Sequence, residues 1–163
     1  MKRLRILFFF LWLFSLLSCN SGPGKFNDNL MENLNKADRE YATFYALVEQ
    51  YPDTNDFVSV TKRGKVALEK MERLINEINQ YEAPKEGKDL KNLCEEYIKN
   101  MIISIKGFTS VEKLGKDQFE KAIENMDINE VQLNEIDRKI VEAQKSFANK
   151  RRFELKDSPS NKR

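Results

Sequence analysis

Apolar side chains recur every three or four residues along most of the chain, which is the spacing of one face of an α-helix. Between residues 28 and 51 the steps alternate between four and three without a break, through Leu30, Leu34, Ala37, Tyr41, Phe44, Val48 and Tyr51. Similar runs predict further helices over residues 57–81, 89–112 and 128–153. The pattern therefore predicts an all-α protein with four long helices.

Turn-forming residues separate these helices. Residues 52–56, Pro-Asp-Thr-Asn-Asp, end the first helix and offer an N-cap for the second, and residues 83–88 separate the second from the third. The stretch 113–127 is too long for a plain loop, and its residues 117–120 resemble a capping box. We therefore expect a short extra helix between helices 3 and 4, either a packed connector or a movable lid over the bundle core.

Near-equal helix lengths and mostly short connections favour antiparallel neighbours. The predicted architecture is an up-down-up-down four-helix bundle. The same spacing also fits a coiled-coil hairpin that completes its core by dimerisation. Heptad spacing alone does not separate these two arrangements.

The first 18 residues have the layout of a secretory signal peptide. Three basic side chains precede the apolar run 6–14, which is too short to span a bilayer. The run leads to Leu16-Leu17-Ser18-Cys19, which resembles a bacterial lipobox. The resemblance implies cleavage before Cys19 and a diacylglycerol on its thiol, so that the lipid would attach the mature chain to a membrane.

The chain is thus expected to have four parts. Residues 1–18 form the signal peptide, 19–27 the lipidated cysteine with a flexible tether, 28–153 the helical bundle and 154–163 a disordered basic tail. No acidic residue directly follows Cys19, as it does in some surface-exported lipoproteins, and Asn20 is not the Asp of inner-membrane retention signals. Both features favour the outer membrane, with the periplasmic face preferred over the cell surface.

Removing the signal peptide changes the charge balance. It carries three of the 28 Lys and Arg residues and none of the Asp or Glu, leaving 25 basic against 26 acidic side chains, a formal net charge of −1. The sequence pI of 8.4 therefore gives no reason to expect a nucleic-acid partner.

The residue types that carry most enzyme chemistry are missing or scattered. The chain has no histidine, which excludes Ser-His-Asp and Cys-His nucleophiles, HExxH zinc sites and His-ligated haem. With Cys19 acylated, Cys94 is a lone cysteine on an apolar helix face, read as a buried hydrophobe in preference to a reactive thiol. We predict no enzyme activity, no metal site and no cofactor.

Two basic clusters are the candidate interaction residues. Lys62, Arg63 and Lys65 lie early in the second helix, and Lys150, Arg151 and Arg152 close the last one. Both clusters are interpreted as solvated charges. The alternative for the first cluster is a contact with an anionic lipid or a glycan. The alternative for the second cluster is a contact with anionic lipid headgroups or the cell wall.

The C-terminal pattern, residues 142–150 followed by Phe153-Glu154-Leu155, resembles the ending of uncharacterised helical surface lipoproteins of Gram-negative bacteria. The resemblance covers about the last 70 residues and the signal peptide. It implies a helical fold and an envelope location, and it brings no activity or catalytic residues.

The first functional hypothesis is a lipid-anchored, non-enzymatic interaction module that acts as an adaptor, subunit or inhibitor in an outer-membrane or periplasmic complex. It requires an envelope protein partner and an apolar patch outside the core. The candidate patch residues lie off the core stripes and are Tyr45, Leu47, Val66, Ile98, Ile102 and Val141.

The alternative hypothesis is a carrier that holds a small hydrophobic ligand inside the bundle core. It requires a cavity of several hundred Å³. Met71, Met101 and Met126 would be its adaptable lining.

Overall fold

The computed structural model describes residues 22–54, 56–109, 116–153 and 155. In this part of the chain the α-helices are α1 (Pro23–Thr54), α2 (Phe57–Gln80), α3 (Lys88–Thr109) and α4 (Lys116–Arg151), with a 3-10 turn at Lys85–Gly87. Each helix packs against the next along the chain, as in an up-down bundle. The prediction of an all-α protein with four long helices is confirmed.

Helix α1 begins earlier than the sequence suggested, inside the expected tether. Proline suits the first position of a helix because its φ angle is already helical and its missing N–H needs no partner there. The Phe26 N–H donates to the Gly22 carbonyl at 3.2 Å, and the Phe26 ring is buried. The flexible segment predicted up to residue 27 is therefore helical from Pro23 onward.

The junction between α1 and α2 is set by two residues. Pro52 lies within the last turn of α1, which continues to Thr54 instead of stopping at residue 51. Asp56 is the N-cap of α2, since its side chain accepts a hydrogen bond from the Ser59 N–H at 3.0 Å. The predicted start of α2 at Phe57 is confirmed.

The short extra helix expected between helices 3 and 4 is absent from the described residues, because its sequence forms the beginning of α4. The buried positions Phe119, Ala122 and Met126 continue the heptad spacing of the later core residues, with Asn129 as the connecting position. The Asn129 amide donates to the Asn100 carbonyl and to the Ser104 hydroxyl, both at 2.6 Å. Asn129, whose side-chain amide has hydrogen-bond partners in the core, therefore connects the predicted extra helix and the predicted fourth helix into one helix.

One end of the bundle, here called the basal end, consists of residues 22–26, 81–89 and 147–153. There the Phe26 and Phe147 rings meet edge to face at 5.7 Å, and Phe147 meets Phe153 in the same way at 5.3 Å. Gly87 fits against this cluster, since a Cβ there would lie 2.8 Å from the Phe26 ring. The start of α1 and the end of α4 are thus held together at the basal end.

The opposite end, here called the apical end, lies where α1 and α3 finish and where α2 and α4 begin. Phe108 contacts Phe44 at 5.6 Å and Phe119 at 5.4 Å between ring centroids, and Tyr51 stacks on Phe119. With 24 residues in α2, the apical end is about 36 Å from the basal end.

Candidate interaction surfaces

Among the described residues, large aliphatic side chains are exposed on three helices: Val58 and Val66 on α2, Ile103 on α3, and Ile128 and Val131 on α4. Ile103 is 61% exposed, Ile128 58% and Val131 70%. These three residues are here called the α3–α4 flank. Val58, 74% exposed, lies apart from them in the first turn of α2.

The register between α3 and α4 places the flank residues at one level of the bundle. The Asn129 hydrogen bonds to Asn100 and Ser104 align Ile128 with Ile103, and Val131 follows Ile128 by about one helical turn. Three exposed aliphatic side chains therefore lie at similar heights on the outside of α3 and α4.

Several residues of the predicted patch lie elsewhere than expected. Ile98 and Ile102 are buried in the core, so their assignment to an exposed patch is wrong. The reason is that α3 is packed against α2 and α4 and also approaches α1, which covers more than one stripe of its surface. Tyr45, Leu47 and Val141 are half-buried, whereas Val66 is exposed at 38%, as predicted.

The predicted cluster Lys62, Arg63 and Lys65 is divided between two surfaces. Arg63 donates to Glu40 on α1 at 2.5 Å, and Lys70 donates to the other oxygen of that carboxylate at 2.7 Å. Partial burial by itself would raise the pKa of Glu40, but the hydrogen bonds from Lys70 and Arg63 outweigh it and lower the pKa. Arg63 therefore joins α1 to α2.

Lys62 and Lys65 are exposed and take no part in that ion pair. They border a shallow open groove of about 320 Å³ together with Phe57, Val58 and Thr61. The described residues provide no carboxylate that pairs with either lysine.

The second predicted cluster lies at the basal end. Arg152 has a left-handed backbone, with φ of 53°, and the Phe153 N–H donates back to the Ala148 carbonyl at 3.2 Å. This is the Schellman closure of a helix, here with the Phe153 ring packed on Phe147. The helix end is fixed in this way, and the basic side chains next to it are held near the start of α1.

Arg151 differs from its two basic neighbours because it has a partner. It contacts Glu86 in the turn before α3 at 2.6 Å. The backbone N–H of Glu86 and the Arg151 guanidinium lower the pKa of the Glu86 carboxyl. Arg151 also borders an open groove of about 530 Å³ with Lys25, Phe26 and Tyr81. Lys150 and Arg152 are exposed and have no ion-pair partner among the described residues.

The described residues contain no group of three or more His, Cys, Asp or Glu side chains that could hold a metal ion. Cys94 is fully buried, and this burial raises the pKa of its thiol to about 12. The expectation that Cys94 is a buried core residue is confirmed. Where the pKa of a described carboxyl group departs from its ordinary value, it is lowered, as in Glu32, Glu40, Asp56, Glu86 and Glu135.

The three methionines proposed to line a ligand cavity are core residues. Met71, Met101 and Met126 are each at most 1% exposed and belong to the continuous hydrophobic core. None of them borders the basal or apical groove. No observation here favours the carrier hypothesis.

The remaining predicted residues lie outside the described part of the chain: the signal peptide 1–18, Cys19, the first tether residues and most of the basic tail. Among the described helices, none is both long and apolar enough to cross a membrane.

The sequence around Ile128 and Val131 contains a signal of their exposure. When the heptad frame of α4 is carried through Asn129, Ile128 and Val131 fall outside the core positions. Because the predicted fourth helix began at residue 128, this heptad frame was not evident from the sequence.

In comparisons with known proteins, no family model, curated protein or solved structure matches the chain.

Proposed function

We propose that the chain is a lipid-anchored protein of the bacterial cell envelope that binds a partner protein through the α3–α4 flank and has no catalytic activity of its own. The lipobox sequence Leu16-Leu17-Ser18-Cys19 supports the anchor. The observation that carries the proposed interaction is the flank itself. Ile103, Ile128 and Val131 are aliphatic and exposed within about one helical turn of one another along the bundle, although the core is complete without them.

An apolar surface of this kind suits a helical or flat protein partner. Removing three aliphatic side chains from water favours binding, at about 25 cal/mol for each Å² of apolar surface buried. Polar and charged residues surround the flank, among them Lys99, Glu124 and Asp127, and would form the rim of such an interface. The role of adaptor, subunit or inhibitor follows from this kind of binding.

Site-specific photo-cross-linking in living cells tests the proposal. A photoreactive amino acid is placed at Ile103, at Val131 and, as the matched control, at the exposed Asn76 of α2. We expect one discrete adduct from both flank positions and none from Asn76. Ile128→Ser should abolish the adduct without unfolding the chain, because Ile128 is outside the core.

Equal adducts from all three positions, or none from the flank, would contradict the proposed binding surface. An adduct of the chain with a second copy of itself would replace the envelope partner by self-association. The anchor is tested separately. Cys19→Ala should remove the acyl chains from the intact mass and release the protein from the membrane fraction.

A further inference from the structure

The basal end carries an excess of positive charge that the proposed protein interface does not use. Its cations are Lys25, Lys85, Lys88, Lys150, Arg151 and Arg152, and its carboxylates are Glu82, Glu86 and Asp89. One of these carboxylates, Glu86, is already neutralised by Arg151. The basal end is therefore positive although the chain without its signal peptide has a formal net charge of −1.

The fold gathers these charges from three separate parts of the sequence. Lys25 is in the first turn of α1, and Arg151 lies beside it on the same open groove. The Schellman closure at Arg152 and the Phe26–Phe147–Phe153 cluster hold the end of α4 against the start of α1. The positive surface is consequently a fixed part of the bundle.

The position of this surface relative to the lipobox indicates what it faces. Cys19 precedes Gly22 by only three residues, so an extended chain places its thiol within about 10 Å of the basal end. A lipid on Cys19 would hold this end, and not the apical end about 36 Å away, at the bilayer surface. Because this reach is an upper limit, the basal end can approach the headgroups to within the Debye length of about 8 Å at physiological salt, where its positive charge attracts anionic lipid.

We propose that the basal end binds an anionic phospholipid surface directly, with Lys25, Lys150 and Arg152 facing the headgroup phosphates. This inference rests on the proposed lipid anchor for its place in the cell. The contact orients the bundle end-on, with the α3–α4 flank at its side accessible to a protein partner.

Vesicle co-sedimentation tests the contact without the anchor. The chain from Asn20 onward keeps the whole described core, whose outermost members are Phe26 and Ala148. We expect it to bind vesicles of phosphatidylcholine containing phosphatidylglycerol, to ignore vesicles of pure phosphatidylcholine, and to dissociate as the salt concentration rises.

Two charge-reversal variants locate the binding surface. Lys150→Glu with Arg152→Glu should lower the partition coefficient at least about ten-fold, because each basic residue near an anionic surface contributes about five-fold. The matched control, Lys62→Glu with Lys65→Glu, changes the charge equally at the apical end and should leave binding within about two-fold. If the glutamates disturb the end of α4, the Lys150→Gln, Arg152→Gln variant should still show an intermediate loss.

Equal losses from both pairs, no loss from the basal pair, or equal binding to uncharged vesicles would overturn the inference. Its failure is separable from that of the proposed anchor and protein partner. Acylated Cys19 without vesicle binding by the unlipidated chain would leave the anchor standing and remove the basal contact. Vesicle binding by a chain whose Cys19 is not acylated in cells would support the basal contact and contradict the proposed anchor.

Discussion

Cys94 shows how one buried residue makes stability depend on pH. Burial raises the pKa of its thiol to about 12, whereas a thiol in the unfolded chain titrates at about 8.5. Between these values the unfolded state loses a proton that the folded state keeps, so the free energy of unfolding falls as the pH rises. In the chain from Asn20 onward, we expect the wild type to lose stability relative to Cys94→Ala between pH 9 and 11.

Urea unfolding at a series of pH values measures this difference. Lysines and tyrosines titrate in the same range in both proteins, so the comparison isolates the thiol. Parallel pH profiles would contradict the assigned burial. A second readout is the reaction of Cys94 with a thiol reagent at pH 8, which should require denaturant.

Gly64 is the residue that lets α2 approach its neighbours. A Cβ at this position would lie 2.4 Å from the Thr109 methyl group and 3.1 Å from the Phe44 ring. Gly64→Ala should therefore lower the free energy of unfolding by about 1–3 kcal/mol through overpacking, despite the better helix propensity of alanine.

Gly107→Ala is the matched control, since the new methyl group would meet only the Ala122 Cβ at 3.8 Å. This variant should be neutral or more stable, by up to about 1 kcal/mol. Adding Thr109→Ser to Gly64→Ala removes the nearest clashing atom and should restore part of the loss. Equal effects at both glycines would disprove the close approach at Gly64.

At the scale of the element, α4 depends on a polar residue in its core seam. Asn129→Ala would remove both hydrogen bonds, to the Asn100 carbonyl and the Ser104 hydroxyl, while leaving Ser104 buried. We expect a loss of about 1–3 kcal/mol. Asn125→Ala, one turn away and exposed, should change stability by no more than about 0.5 kcal/mol. Thermal or urea unfolding of the two variants measures the contrast.

The helices were predictable to different degrees for physical reasons. The start of α2 followed from Asp56, because an N-cap is a local interaction between neighbours in sequence. The continuity of α4 did not, because the polar Asn129 interrupts the apolar stripe, and its place in the core becomes evident only from its partners on α3. The early start of α1 depends likewise on Phe147, which is more than 100 residues away and packs on Phe26.

At the scale of the whole molecule, the four-helix architecture followed from heptad spacing, while the surfaces did not. Which side chains remain exposed depends on how many neighbours each helix has. Ile102 is buried and the adjacent Ile103 is exposed, a distinction that no composition or spacing contains. Arg63 is a similar case, because its partner Glu40 lies on another helix.

The start of α1 and the end of α4 lie close together, which makes a circular permutation of the chain feasible. A methyl group at Gly24 would lie 3.8 Å from the Phe153 ring, so a short peptide could join the ends of α1 and α4. A circular permutant opened between α1 and α2 would then begin at Phe57 and keep every helix beside its present neighbours. If this permutant were fused to the lipoprotein signal peptide, its apical end, with Lys62 and Lys65, would face the bilayer in place of the basal end. The packing of the core would be the same in both orientations, because the end that lies at the membrane depends only on which end of the bundle carries the anchored N-terminus.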